Sequence, residues 1–70
     1  MSRFRTYVAE AILADVLDEL TRLGAFVEGL QIENGQCMVT GRSDDGKVAE
    51  FERWLAIFTK GASRVDSVDK

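Results

Sequence analysis

Few side chains in this sequence could carry out covalent or acid–base chemistry. The 70 residues include no histidine and one cysteine, which excludes a Ser-His or Cys-His pair, a disulfide framework and a zinc cluster. Two groups of carboxylates remain: Asp15 with Asp18 and Glu19, and Asp44 with Asp45. The first group lies on the polar side of a helical pattern, and the second lies at a helix start, where acidic side chains stabilise the helix dipole. We therefore predict that the chain has no catalytic residue, no metal site and no cofactor.

The remaining candidates are binding residues. Cys37 falls on the inward side of an alternating segment, so we expect a buried thiol that packs as a small apolar side chain. The opposite side of the same predicted sheet carries an aromatic residue and a methionine, a mixture suited to protein contact. A tryptophan at the margin of a helical stripe could anchor a partner. The predicted partner-binding residues are Arg5, Tyr7, Gln31, Met38, Thr40 and Trp54.

Length and charge restrict the kind of partner. Seventy residues allow one domain, residues 1–70. A net charge of −3 argues against nucleic acid and against anionic membranes. No apolar run reaches the ~20 residues of a membrane span, and no apolar signal core follows the first six residues. We therefore expect a protein partner and a cytoplasmic location.

The elements that must position these residues follow from periodicity. Apolar residues recur at three- and four-residue spacing from Ile12 to Leu23, which predicts an amphipathic helix ending at Gly24. Alternation then begins at Phe26 and continues through Leu30 and Ile32. The apolar residues involved in the helix are Ile12, Leu13, Val16, Leu17, Leu20 and Leu23.

Asn34-Gly35 lies between two alternating runs and predicts a two-residue hairpin with a type I′ turn. Across that turn, Ile32 and Cys37 share one face of the sheet, as do Leu30 and Val39. Phe26 belongs to the same face by alternation. Glu28 is the exception, and we expect it near the end or edge of the sheet.

A second helix should follow the hairpin. Ser43 offers a side-chain oxygen as an N-cap, and Gly61 marks the end. Residues 64–68 alternate and carry charges, which predicts a short edge strand. The predicted core stripe of the helix is Val48, Phe51, Leu55 and Phe58, widened by Trp54 and Ile57.

The first eight residues allow two interpretations. Alternation predicts a strand with Phe4, Thr6 and Val8 inward, which gives β-α-β-β-α-β, an α+β ferredoxin-like two-layer sandwich. Alternatively, Ser2 caps one long helix that runs to Leu23, which gives α-β-β-α-β with a smaller, dimerising sheet.

From Arg22 onward the chain resembles the acylphosphatases. The similarity rests on Arg22-Leu23-Gly24, the Asn34-Gly35 turn, Ser43-Asp44-Asp45, the Phe-Glu-Arg-Trp-Leu run at 51–55, Gly61-Ala62, and residues 64–68. It implies the ferredoxin-like fold and, in that family, hydrolysis of acyl phosphates.

The catalytic loop of that family has no counterpart here. The family binds phosphate in a glycine-rich loop with an arginine, between the first strand and the first helix. The corresponding segment, residues 8–13, is shorter than the family's phosphate loop and includes neither glycine nor arginine. Glu10 in this segment would repel an anion. The family's catalytic asparagine falls on Gln31. The resemblance therefore implies the scaffold without its activity.

Residues 30–41, with Gly61 and Val65, also resemble the BON domain, a non-enzymatic α-β-β-α-β module of bacterial envelope proteins that binds lipid or protein. Taken together, we predict a non-catalytic protein-interaction domain that self-associates as a dimer, because a chain this short buries little apolar surface by itself. The alternatives are a BON-like lipid- or protein-binding module, a degenerate acyl-phosphate hydrolase and a small phage-type inhibitor of a host protein.

Overall fold

The computed structural model describes residues 1–67, which form an α+β two-layer sandwich with the ferredoxin-like order β-α-β-β-α-β. The strands lie in the order β2-β3-β1-β4, and every neighbouring pair is antiparallel. The predicted fold class is therefore confirmed. The elements are β1 Ser2–Ala9, α1 Leu13–Arg22, β2 Phe26–Glu33, β3 Gln36–Ser43, α2 Asp45–Phe58 and β4 Val65–Ser67.

The N-terminal segment is a strand and not the start of a long helix. Phe4, Thr6 and Val8 are buried, as the alternation predicts. β1 pairs with β3 along its whole length and with β4 on its other side. A single 3₁₀ turn, Glu10–Ile12, separates it from α1. Central pairing on both sides favours the strand, because it satisfies the backbone while burying the apolar face.

The core lies between the sheet and the two helices. Each helix contributes two buried residues of its own stripe, and β1 and β3 contribute the opposing layer. Cys37 is fully buried, as predicted. Within the described residues, neither helix is long and apolar enough to cross a membrane. The residues with almost no exposed surface are Phe4, Thr6, Val8, Val16, Leu20, Cys37, Val39, Phe51 and Leu55.

The predicted hairpin and its register are confirmed. Asn34 and Gly35 have φ angles of 54° and 78°, which only a type I′ turn requires of both residues. Ile32 pairs with Cys37, and Leu30 with Val39. The two-residue turn therefore sets which side chains of β2 and β3 share a face.

A β-bulge changes the face of the first residues of β2. The register shifts between Val27 and Gly29, so that Val27 pairs with Gly41 and Phe26 with Arg42. Val27 therefore points to the helix side, and the prediction that Phe26 does so was wrong. Glu28 is the extra residue of the bulge, near the start of an edge strand. Strict alternation would place the Glu28 carboxylate on the apolar, helix-facing side. The bulge lets Glu28 point away from the helices instead.

The start of α2 differs from the prediction. Ser43 does not cap the helix; it is buried at the end of β3, where it pairs with Ser2. Asp44 is the N-cap residue, and its backbone carbonyl accepts from the N–H groups of Lys47 and Val48. The Ser2 hydroxyl donates to the carboxylate of Asp45 in the first turn. Pairing of β1 with β3 thus extends one residue further than the cap motif suggests.

The apolar stripe of α2 is narrower than predicted. Phe51 and Leu55 are buried, and Val48 and Trp54 are half-buried, but Phe58 and Ile57 are exposed. Phe58 stacks on Trp54, with ring centroids 4.8 Å apart, and Trp54 itself lies at the margin of the core. The stripe therefore ends in a stack of rings that extends out of the core.

The last strand lies at the other edge of the sheet, beside β1. It extends over Val65–Ser67, whereas the predicted segment ended at Val68, which lies outside the described residues. The buried Thr6 hydroxyl donates to the backbone carbonyl of Arg64 at 2.7 Å. This bond fixes the chain where it joins the sheet.

Both helices end in Schellman motifs, but with different residues in the left-handed position. Gly24, with φ 75°, closes α1, and the N–H of Ala25 donates to the carbonyl of Leu20. In α2 that position is taken by Lys60, with φ 55°, and the N–H of Gly61 donates to the carbonyl of Ala56. The predicted terminator, Gly61, follows directly and also has a left-handed φ, of 84°.

Replacing Lys60 by glycine is expected to stabilise the domain by about 0.5–1 kcal/mol, because the left-handed conformation costs an L-residue roughly that much more than the entropy glycine loses. Urea unfolding followed by far-UV circular dichroism measures the change. Gly24→Ala is the matched control, since nothing lies within 4 Å of the added Cβ and only the backbone angle is affected. It should lose about 1 kcal/mol. A Lys60→Gly variant less stable than wild type would contradict this account.

Candidate interaction surface

The connection between β1 and α1, where an anion-binding loop would lie, is occupied by the tight turn Glu10–Ile12. The backbone N–H of Glu10 donates to the carbonyl of Gly35 at 2.8 Å. This N–H therefore holds the hairpin turn against the end of β1 and does not point into an anion site. Residues 8–13 include no glycine, which restricts how far their N–H groups can converge on one point.

Of the carboxylates noted in the sequence, Glu19 and Asp45 have side-chain hydrogen-bond partners. Glu19 accepts two hydrogen bonds from Arg22, at 3.0 and 2.5 Å, and the Arg22 guanidinium holds the pKa of Glu19 below its usual range. Arg22 also contacts Glu50 of α2 at 3.4 Å, so this network links the two helices on the surface. In the part of the chain that the structure describes, no three His, Cys, Asp or Glu side chains converge as metal ligands would.

The Cys37 thiol is enclosed between sheet and helices. Burial, and to a smaller extent the charge of Glu10, raises the pKa of this thiol. A raised pKa and lack of access both oppose thiolate chemistry. Cys37 therefore acts as a core residue.

The sheet face turned away from the helices, called the open face here, brings five predicted binding residues together. Tyr7, Met38 and Gln31 form one row across β1, β3 and β2, and Arg5 with Thr40 forms the next row. A shallow depression of about 260 Å³ lies over the first row. Its lining residues are Tyr7, Gln31, Glu33, Gln36 and Met38.

Beyond those rows, the open face carries an ion-pair cluster around the bulge. The Glu28 carboxylate lies 3.6 Å from Nε of Arg3 and 3.4 Å from Nε of Arg42. The Arg42 guanidinium lies 5.5 Å from the centre of the Phe26 ring, a distance typical of a cation–π contact. One bulged glutamate thus pairs with two arginines and offsets one of their two positive charges.

Trp54 does not join the other five residues. It lies on α2, in the layer on the far side of the sheet, and stacks between Phe51 and Phe58 at centroid distances of 5.9 and 4.8 Å. Phe51 in turn contacts Phe4 of β1 at 5.7 Å. The tryptophan is therefore part of an aromatic ladder that leads from the core to the surface.

The sequence reasoning missed a different surface, formed by the helix-facing side of β2. Val27, Leu30 and Ile32 point to that side, yet they are 43%, 44% and 51% exposed. Their pairing partners on β3, Gly41, Val39 and Cys37, are all buried. The helices thus cover β3 but leave the edge strand open. We call Val27, Leu30 and Ile32 the edge strip.

Alternation alone assigned Leu30 and Ile32 to the core side of the sheet. Their side chains do point to that side, but they are not buried there. In the strand order of the structure, β2 lies at an edge of the sheet. Strand order, however, is not readable from alternation.

Comparisons with known proteins place the fold and nothing further. No family model matches the chain, and no curated protein matches it either. One similar solved structure, described only as the crystal structure of a hypothetical protein, superposes with a TM-score of 0.86 at 16% sequence identity. The match covers 99% of this chain and 33% of that one, so this chain spans about a third of the length of that protein.

Proposed function

We propose that this domain is a non-catalytic protein-interaction module that self-associates. The observation that carries the proposal is the edge strip: three large apolar side chains, Val27, Leu30 and Ile32, lie uncovered on one strand. Contiguous exposed apolar surface of this kind marks interaction sites in soluble proteins. Covering it would add apolar burial that a domain of 70 residues lacks.

The two edges of the sheet support the same proposal. An exposed edge strand invites pairing with another chain, and proteins usually protect it with lysine, proline, a β-bulge or inward-pointing charge. β2 has a bulge at Glu28, but its regular segment, residues 29–33, has no lysine or proline and no charge on the helix side. β4, in contrast, carries a charged residue, Asp66, between Val65 and Ser67. The regular segment of β2, which bears Leu30 and Ile32, is thus the less protected of the two edges.

The non-catalytic part of the proposal rests on the surroundings of the reactive groups. Cys37 is enclosed, Glu19 is engaged by Arg22, and the N–H of Glu10 is bonded to the hairpin turn. A protein partner is favoured over nucleic acid, since the net charge is −3 and Glu28 pairs with both Arg3 and Arg42 on the open face, offsetting one of their two positive charges. A cytoplasmic location accompanies the proposal.

Sedimentation of the wild-type chain from micromolar to millimolar concentration is expected to show a reversible monomer–dimer equilibrium. Ile32→Glu should weaken the association at least about tenfold, because it places a charge where apolar surface would be buried, at a cost above ~1.4 kcal/mol. Far-UV circular dichroism of the monomeric variant should stay that of the folded domain, since Ile32 is half exposed.

Ile57→Glu is the matched control. It makes the same chemical change at a more exposed isoleucine, 74% accessible, on α2, and should leave the dissociation constant within about twofold, well under the tenfold that 1.4 kcal/mol represents. A wild-type chain that stays monomeric at millimolar concentration would contradict self-association. Loss of the dimer in Ile57→Glu, with Ile32→Glu unaffected, would move the interface to α2.

A further inference from the structure

We propose that the second copy binds through its own β2, antiparallel to the first, with the two-fold axis passing at Gln31. The two four-stranded sheets then form one continuous sheet of eight strands, and all four helices lie on the same face. This inference rests on the proposed self-association and specifies its geometry. It predicts which backbone groups pair, which side chains meet and which residue lies on the axis.

The backbone directions follow from the hairpin. In a two-residue hairpin, the residues flanking the turn exchange backbone hydrogen bonds, and along an antiparallel pair bonded and non-bonded positions alternate. Glu33 flanks the turn and pairs with Gln36, so Glu33 and Gln31 bond to β3. Leu30 and Ile32 therefore direct their N–H and C=O groups outward, away from β3. These are the groups that a second strand can reach.

The bulge limits the regular part of the edge. Regular pairing with β3 extends from Gly29 to Glu33, between the bulge on one side and the turn on the other. The centre of this five-residue segment is Gln31. Antiparallel pairing about that centre places Leu30 opposite Ile32 of the second copy, and Ile32 opposite its Leu30. All four outward N–H and C=O groups of each strand then find partners.

Side-chain chemistry favours the same register. Leu30 and Ile32 of the two copies meet on the helix side, where the edge strips join. On the open face Gln31 meets its own copy at a non-bonded position, where side chains are closest, and two amides can hydrogen-bond to each other. Glu33 lies opposite Gly29, and not opposite a carboxylate.

The neighbouring registers are less compatible. The helix sides of the two sheets lie on the same face only when the two-fold axis passes through a residue of β2. The nearest other residues whose outward N–H and C=O groups allow pairing about the axis are Leu30 and Ile32. A centre at Leu30 places Ile32 opposite the bulged Glu28, so regular pairing breaks. A centre at Ile32 places Leu30 opposite Asn34 of the turn, and Gln31 opposite Glu33. Each of these registers loses the apolar contact between Leu30 and Ile32.

Amide hydrogen exchange of the wild-type chain tests the backbone pairing residue by residue. In a concentrated sample, the amides of Leu30 and Ile32 should exchange at least tenfold more slowly than in a dilute one. The amides of Gln31 and Glu33, already bonded to β3, are the internal controls and should change only as much as the rest of the sheet. Equal slowing at all four positions, or none, would overturn the pairing.

Disulfide trapping tests the register. In a Cys37→Ala background, Gln31→Cys places two thiols directly across the axis. Glu33→Cys, on the same strand and face, places them four residues apart along the strands, or about 13 Å, beyond the ~7 Å that a disulfide spans. Under mild oxidation, Gln31→Cys should form covalent dimers at least tenfold faster than Glu33→Cys.

The outcomes separate this inference from the proposed function. A chain that sediments as a dimer but shows no selective protection of Leu30 and Ile32 keeps self-association and overturns the β2 pairing. Selective protection, with Glu33→Cys trapped as fast as Gln31→Cys, overturns the register. A chain that stays monomeric overturns both and leaves the edge strip to a different protein.

Discussion

Replacing Phe51 by alanine is expected to lower the free energy of unfolding by about 3–5 kcal/mol, which is the usual cost of removing a buried phenylalanine ring. Phe51 is buried at the centre of α2 and contacts both Phe4 and Trp54. It thereby joins the helix layer to the sheet and to the aromatic ladder. A domain of this length has roughly 4–10 kcal/mol of total stability. The loss thus removes a large share of it.

Urea unfolding followed by far-UV circular dichroism measures the effect, at one fixed protein concentration because self-association adds to apparent stability. With a slope near 1 kcal/mol per molar urea, typical of small domains, the midpoint should fall by about 3 M or more. Ile57→Ala, also a large apolar residue of α2 but 74% exposed, should change stability by less than ~0.5 kcal/mol. Similar losses in both variants would mean that Phe51 is not the contact between layers described here.

Replacing Gly41 by alanine is the second change with a large expected effect. A Cβ at this position would overlap the backbone carbonyl oxygen of Phe26 and lie 2.9 Å from Cζ of Phe4. The Phe4 ring covers Gly41 across the β1–β3 pair, and β2 approaches it from the other side. Because one of the obstacles is backbone, a rotamer change cannot relieve the overlap. We expect a loss of about 3 kcal/mol or more, at or above the upper end for overpacked cores.

Gly46→Ala is the matched control for Gly41→Ala. Gly46 lies in the first turn of α2, and nothing lies within 4 Å of its added Cβ. Alanine favours helix over glycine, so this variant should gain about 0.5 kcal/mol. The same thermal or urea unfolding experiment compares the two. If Gly41→Ala were as stable as wild type, the close approach of β2 and Phe4 to Gly41 would be contradicted.

Local patterns in the sequence were sufficient for the elements whose causes are local. A type I′ turn needs two left-handed residues, and Asn34-Gly35 is a dipeptide that adopts this conformation readily. The three- and four-residue spacing that leads to Leu23 and Gly24 specifies the first helix and its end. The strand at residues 2–9 was less certain from sequence, because nothing breaks the chain after Val8; its pairing on both sides decided the matter.

For the candidate site, the sequence predicted only which face of the sheet each side chain points to. Alternation placed Arg5, Tyr7, Gln31, Met38 and Thr40 on one face, and the register confirms that they share it. Alternation could not show that Trp54 lies in the helix layer, where it stacks on Phe58. Nor could it show the bulge at Glu28, because one extra residue in a strand leaves no signal except an apparent exception to the pattern.

Periodicity and turn residues, read from the 70 amino acids alone, determined which segments are helices and strands and which way most side chains point, since those properties depend on neighbours along the chain. The order of the strands was decided only in three dimensions, because it depends on contacts between residues distant in sequence. That order leaves β2 at an edge beyond the cover of the helices. Leu30 and Ile32 have the same alternating pattern as buried residues, and only their place in the sheet leaves them exposed.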